Sequence, residues 1–248
     1  YGVGAMVRTY KQEAAGNVGD VRVIELATDE ERLSARVVQH ILANPSVVEF
    51  RIKHEVVYGR SFQPVVSAMS RPMMSREKGH YLVTGGLGAL GRLSADFLHR
   101  TGFSNVSLVS STRSKLPADW EYDWQPGVIR CDVSNGAAVA SLFAANPTVR
   151  GVVHCAGVLD DSTLANMSES AVLRVLQPKA DGARFIDIYG HELDFLIMYS
   201  SVASTFGSPG QGNYAAANAQ LDRLAELRSH RGQYTVSLQW GSWAIGDG

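Results

Sequence analysis

Apolar positions change their period along this chain, and the changes mark out its elements. Tyr81, Leu82 and Val83 form a run short enough for a buried strand, and Leu90, Leu93, Ala95, Phe97 and Leu98 follow with the spacing of a helix. The same reading places strands at 106–110, 127–133, 150–156, 194–200 and 235–240. Helical patterns lie between them at 90–100, 136–145, 168–189 (interrupted near Pro178) and 213–230. Strands alternating with helices predict a parallel sheet covered on both faces, a Rossmann-type doubly wound α/β fold. Ligands of such sheets bind at the carboxyl ends of the strands.

Residues 1–75 have a different character. The stretch 21–26 (VRVIEL) reads as a strand, 29–43 as a helix with an acidic first turn, and 49–57 as alternating strand; the first dozen residues read as the interior of an element. No glycine turn follows this strand. So few elements cannot bury both faces of a sheet by themselves, so the segment is expected to dock on the rest. The polar stretch 67–78, broken by Pro72, is the expected linker, dividing the chain into 1–75 and 76–248.

Composition removes several classes of function. Twenty-three basic against 24 acidic residues give a net charge of −1, which argues against nucleic acid as a partner. No apolar run approaches the roughly 20 residues of a membrane span. Cys131 and Cys155 sit in expected strands rather than in a Cys-x-x-Cys frame, which reads as buried free thiols in a reducing, cytoplasmic compartment. No His/Cys/Asp cluster suggests a metal.

Two stretches carry chemistry. After the strand ending at Thr84, Gly85, Gly86, Gly88 and Gly91 match G-G-x-G-x-x-G and lead into a helix. That context suits a tight turn, close approach of backbone to a pyrophosphate, and phosphates facing the helix N-terminus. The second stretch, 199–218 (YSSVASTFGSPGQGNYAAAN), ends a strand in Ser200 and Ser201, loops through glycines and Pro209, and starts a long helix near Tyr214. Alternation at a strand end lets only one of the two serines face the cleft. A tyrosine titrates near about pH 10, so its use as a general acid at neutral pH calls for a nearby cation or positive dipole. One turn on, the same helix face carries Asn218 and no lysine. Asp132, at a strand end, suits either a turn cap or an adenine amino group, and His154 reads as a buried partner of its strand rather than a base.

Taken together, TGGLGALG (84–91), CDV (131–133), HCAGVLDD (154–161), PKADGA (178–183), YSSVAS (199–204), PGQGNYAAAN (209–218) and WGSW (240–243) resemble the short-chain dehydrogenase/reductase superfamily. Within it they look like the ketoreductase domains of type I polyketide synthases and animal-type fatty acid synthases. The resemblance covers essentially the whole chain, and 1–75 looks like the end of the structural subdomain, a truncated Rossmann unit, that precedes the catalytic one. It implies hydride transfer from a reduced nicotinamide to the β-keto group of a thioester on an acyl carrier protein, with other synthase domains in the same polypeptide. Tyr214 is then the proton donor, Ser201 a hydrogen-bond donor to the same oxygen, and Lys179 with Asn218 the support of tyrosine, ribose and a proton-supplying water chain. Free-standing relatives carry Tyr-x-x-x-Lys; asparagine at 218 and a lysine on the preceding helix fit the synthase arrangement.

The resemblance also assigns the cofactor contacts: Thr84, Gly85, Gly86, Gly88, Leu90 and Gly91 at the first turn, Ser110, Ser111 and Arg113 after the second strand, Asp132 and Val133 after the third, and Cys155, Ala156 and Gly157 after the fourth. NADPH is the expected cofactor, although the arginine that meets its 2′-phosphate stands two residues later here than in related domains. Leu159, Asp160 and Asp161 look like the LDD motif of B-type ketoreductases, and Phe206 stands where A-type domains carry tryptophan; both imply a 3R hydroxyl. Gln211 is placed to meet the pantetheine arm, or to serve only as a turn residue. Related domains continue past Trp243 into a lid helix, so lid closure is expected to lie beyond residue 248. The rival readings are a catalytically idle scaffold and a free-standing carbonyl reductase. A hydrolase is disfavoured, since there is no Gly-x-Ser-x-Gly elbow.

Overall fold

A computed structural model of the chain describes residues 2–14, 22–26, 34–43, 49–54, 56–59 and 79–243. The expected linker at 67–78, the start of the helix expected at 29–43 and residues 244–248 lie outside the described residues.

Six parallel strands form the main sheet: β4 (His80–Thr84), β5 (Val106–Ser110), β6 (Gly127–Arg130), β7 (Val149–His154), β8 (Phe195–Ser201) and β9 (Thr235–Trp240). Their order is β6-β5-β4-β7-β8-β9. The chain reverses direction of travel across the sheet between β4 and β7, and the crevice at such a switch point is where this architecture binds ligands. β4 is buried at every position because strands flank it and helices cover it. Its alternate residues feed two cores. Tyr81 and Val83 pack with Ala95, Leu98, Phe103 and Phe195, while Leu82 packs with Val139, Ile186, Leu196, Met198 and Leu221 on the other face.

The helices begin where short polar side chains can satisfy their first amides. Asn135 Oδ1 accepts from the amides of Ala137 and Ala138, starting α4 (Gly136–Ala145), and Ser168 Oγ accepts from Ala171, starting α5 (Glu169–Leu176). α3 (Ala89–Arg100) follows the glycine turn. The interruption expected near Pro178 is a π-helical turn over Gln177–Asp181, after which α6 (Gly182–Tyr189) resumes. A short α7 (Ala203–Phe206) precedes the long α8 (Gly212–His230).

The N-terminal region is a helix, α1 (Gly2–Glu13), and a separate three-stranded sheet of β1 (Val23–Leu26), β2 (Glu49–Lys53) and β3 (Val56–Gly59) with α2 (Ala35–Leu42). Its own core is Val37, Ile41, Phe50 and Ile52. The single strand expected over 49–57 is instead an antiparallel hairpin, with Ile52 opposite Val57. The turn passes through His54, whose φ is 50°. No glycine, asparagine or proline marks that turn, and the apolar alternation continues on both sides of it, which is why one strand was expected. α1 does not join this sheet's core but lies on α8, where Ala5 packs among Ala203, Ala215 and Ala219.

Candidate active site

The carboxyl ends of the strands gather every candidate residue. Beyond Thr84 the chain turns through Gly85 at φ 63°, and a Cβ there would stand 2.9 Å from the Ala156 backbone. Dihedral and neighbour both require glycine. A Cβ on Gly91 would lie 2.2 Å from the Gly85 carbonyl oxygen, so α3 sits directly on the turn. Gly88 precedes that helix and offers no side-chain cap to its first amides, the arrangement that favours an anion.

Past β5, Ser110 Oγ accepts from the amides of Thr112 and Arg113, while Ser111 and the Arg113 side chain are exposed. Asp132 follows β6 and is exposed. Its Oδ1 accepts from the amide and hydroxyl of Ser134, so it does cap its turn. Next to it Val133 is buried. Past β7, Cys155 and Ala156 donate their amides to the Thr84 carbonyl and Thr84 Oγ1. Burial pushes the Cys155 thiol up to about 12, so it stays protonated at neutral pH.

His154 is fully buried, and burial lowers it to about 4. Its Nε2 lies 2.8 Å from the Lys179 carbonyl, which can only accept, so Nε2 carries the proton. Nδ1 must then accept from Thr84 Oγ1 at 2.7 Å. A chain of hydrogen bonds thus runs from Ala156 through Thr84 and His154 to the backbone of Lys179. It joins the glycine turn to the turn that carries the lysine.

Lys179 sits in the π-helical turn, 5% exposed. Proline at 178 has no amide to give the helix, which favours a local break there. Nζ donates to the Tyr199 carbonyl at 2.9 Å and stands 5.4 Å from the Tyr214 ring centroid. Gly157 leaves room for it, since a Cβ there would meet Lys179 Cε at 3.0 Å. No carboxylate pairs with this ammonium among the described residues, and burial lowers it to about 8.

Tyr214 is the third residue of α8, and Asn218, one turn later, is fully buried. Asn218 Nδ2 donates to the Tyr214 carbonyl at 2.8 Å, whereas its Oδ1 is buried without a hydrogen-bond partner among the described residues. At the end of β8, Ser200 turns inward and donates to the Asn218 carbonyl; Ser201, on the other face, is half-buried and accepts from the Ala203 amide. The structure therefore brings Lys179, Tyr214 and Asn218 together, with Ser201 at the adjoining strand end.

The loop after β7 lies against the loop before α8. Ser162 donates its amide to the Gly210 carbonyl at 2.8 Å, and Gln211 Nε2 donates to Asp161 at 2.8 Å. Asp160 is held by Arg174 at 2.5 Å, whereas Leu159 and Phe206 are largely exposed. Asn213 was not among the expected residues, yet it is fully buried and donates to the carbonyls of Asp160 and Ala171 while accepting from the Tyr214 amide. An asparagine at a loop-to-helix junction was its one signal in the sequence. Arg174, 14 residues from its aspartate, gave none.

Among the described residues no helix is long and apolar enough to cross a membrane, and no group of three His, Cys, Asp or Glu could hold a metal ion. The family model described as KR domain matches residues 79–245, about two thirds of the chain. The chain is 43% identical over 180 residues to the polyketide synthase GfsA of Streptomyces halstedii, covering 68% of this chain and 2% of that protein. It is 33% identical over 231 residues to a phenolphthiocerol/phthiocerol polyketide synthase of Mycobacterium tuberculosis, covering 82% of this chain and 12% of that one. The first ketoreductase of the tylosin polyketide synthase superposes with a TM-score of 0.84 at 29% identity, over 99% of this chain and 55% of that one. The chain thus spans only a small part of its curated relatives. With its glycine turn, its parallel sheet and these matches, it belongs to the ketoreductase domains of polyketide synthases, oxidoreductases of the short-chain dehydrogenase/reductase fold.

Proposed function

We propose that this chain reduces the β-keto group of a thioester carried by an acyl carrier protein to a 3R-hydroxyl, using NADPH, with residues from about 76 onward as the catalytic unit. The observation that carries the reading is the meeting of a buried Lys179, with no paired carboxylate among the described residues, with Tyr214 and Asn218 beside the carboxyl end of β8.

The residues present fit a dinucleotide. The turn at Gly85 and Gly91 leaves no room for side chains, the first amides of α3 have no side-chain cap, and Arg113 is an exposed cation on the loop after β5. When bound, the reduced nicotinamide supplies the hydride. Everything else falls to the protein. Tyr214 gives its hydroxyl proton to the ketone oxygen as negative charge develops there, and Ser201 donates a second hydrogen bond to the same oxygen. The ammonium of Lys179, over the Tyr214 ring, favours the phenolate left behind, because opposite charges this near attract. Asn218 holds the first turn of α8 through the Tyr214 carbonyl, and its unpartnered Oδ1 offers an acceptor for a water that returns the proton.

Facial selectivity is read from the two loops. Asp160 and Asp161 are held by Arg174 and Gln211, and the Leu159-Asp160-Asp161 sequence with Phe206 on the second loop supports the 3R outcome. The test is NADPH oxidation with a diffusible β-ketoacyl thioester, beside Tyr214→Phe. Turnover is expected to fall about 10²–10⁴-fold in the variant, with NADPH binding kept. NADPH binding without reduction of any ketoacyl thioester by the parent would replace this reading with that of an idle scaffold.

A further inference from the structure

Glu13 lies in the last turn of α1, where the helix dipole disfavours a carboxylate. Its two oxygens have found other partners. Oε2 accepts from the amide of Leu164 and Oε1 from the amide of Gly210, each at 2.8 Å. These amides belong to different loops. Leu164 follows Leu159–Asp161, and Gly210 precedes Gln211 and Tyr214. Neighbouring residues of α1 hold the second loop as well: Thr9 Oγ1 accepts from the Ser208 amide, and Gln12 donates to the Phe206 carbonyl. Gly210 has φ 79° with open space around its Cβ position, so its conformation is set by the chain path rather than by crowding.

From this geometry we propose that Glu13, outside the catalytic unit, is a positioning residue for the reaction: one carboxylate holds both substrate-facing loops in a single register and thereby sets which face of the ketone is reduced. The consequence for product stereochemistry rests on the reductase reading; the hold on the loops rests on the two hydrogen bonds alone. Charge-assisted bonds to backbone amides are strong, and each oxygen serves one loop, so losing the carboxylate loosens both at once, while the direct bonds between the loops from Ser162 to Gly210, Gln211 to Asp161 and Asn213 to Asp160 remain. The expected cofactor contacts after β4, β5 and β6 lie on other segments, and those that open the loop after β7 are anchored separately, Cys155 and Ala156 donating their amides to Thr84.

The experiment compares the parent with Glu13→Ala, Glu13→Gln and Ala5→Gly. The last weakens the packing of α1 on α8 but keeps the carboxylate. In Glu13→Ala the amides of Leu164 and Gly210 should lose about tenfold or more of their hydrogen-exchange protection. The minor 3S product should rise, KM for the ketoacyl thioester should increase more than kcat falls, and NADPH affinity should stay the same. Glu13→Gln has one acceptor oxygen and should keep protection at one of the two amides only. Unchanged product ratio and KM in Glu13→Ala would overturn the proposal. Equal erosion of the ratio in Ala5→Gly would do so too, since Glu13 would then act only through helix docking. Should the parent reduce nothing, the reductase reading fails, and the exchange data still decide on Glu13: full protection at both amides in Glu13→Ala refutes its hold on the loops.

Discussion

Arg228, near the C-terminal end of α8, is fully buried; Lys179, packed beside Tyr214 at the other end of the same helix, is only 5% exposed. Their surroundings differ. Arg228 meets the Asp187 carboxylate, donates to Thr235 Oγ1 at 2.7 Å, and shares Asp187 with Arg231. Lys179 has a backbone carbonyl and an aromatic ring. The first cation is neutralised where it sits and ties α6, α8 and β9 together. The second has no carboxylate paired with it among the described residues, only the field of Asp222, and burial outweighs that field, which costs stability and lowers its proton affinity. A buried charge kept without a paired counter-ion is what the proposed role of Lys179 in catalysis would call for.

Substitutions can break this contrast. Arg228→Met removes one partner of a buried pair and should destabilise the fold by about 3 kcal/mol, measured by urea unfolding, while turnover per folded molecule holds. Equal stability of the variant would mean that Arg231 alone satisfies Asp187. Lys179→Met should do the reverse. We expect kcat to fall on the order of a hundredfold, and stability at pH 7 to rise by about 2 kcal/mol, the relief of desolvation less one lost hydrogen bond.

The pH dependence sharpens the point. The pKa of Lys179 is lower in the folded state, about 8 against 10.5, so the unfolded chain binds the proton more tightly. Its penalty is therefore complete below pH 8 and fades as pH rises to about 10.5, and the advantage of Lys179→Met over the parent should vanish across that window. An advantage that persisted at high pH would show that packing, not charge, sets the difference. His154 follows the same sign lower down. Its pKa is about 4 folded against 6.5 unfolded, so the stability it allows is present above 6.5 and is lost as pH falls toward 4.

The smallest effect concerns an exposed cation. Arg113→Ala should raise KM for NADPH about tenfold and leave NADH unchanged, since a solvated guanidinium pairs weakly and a phosphate with its own charge is needed to hold it. Equal losses with both cofactors would assign the residue to loop structure instead.

Much of the region with the six-stranded parallel sheet was legible because its signals are local. The spans 106–110, 136–145 and 235–240 read from periodicity match β5, α4 and β9 to the residue. The break at Pro178 was visible because proline lacks an amide. The hairpin at His54 was not, because a positive φ at a histidine leaves no mark in the apolar alternation. Nor was α7, whose four residues are too short for any period to show.

The sequence by itself determined the glycine turn, the alternation of strands and helices, and the residue types that make a Tyr–Lys–Asn–Ser site recognisable, because each depends on dihedrals or side-chain spacing within a few positions. Only the tertiary structure decided that Lys179 would be buried without a paired carboxylate, that His154 would link the glycine turn to it as the neutral Nε2–H tautomer, and that Glu13 would clasp two loops 150 and more residues away. Burial, electrostatic compensation and the partner of a carboxylate are properties of what surrounds a side chain, and those neighbours are assembled only when distant strands pair.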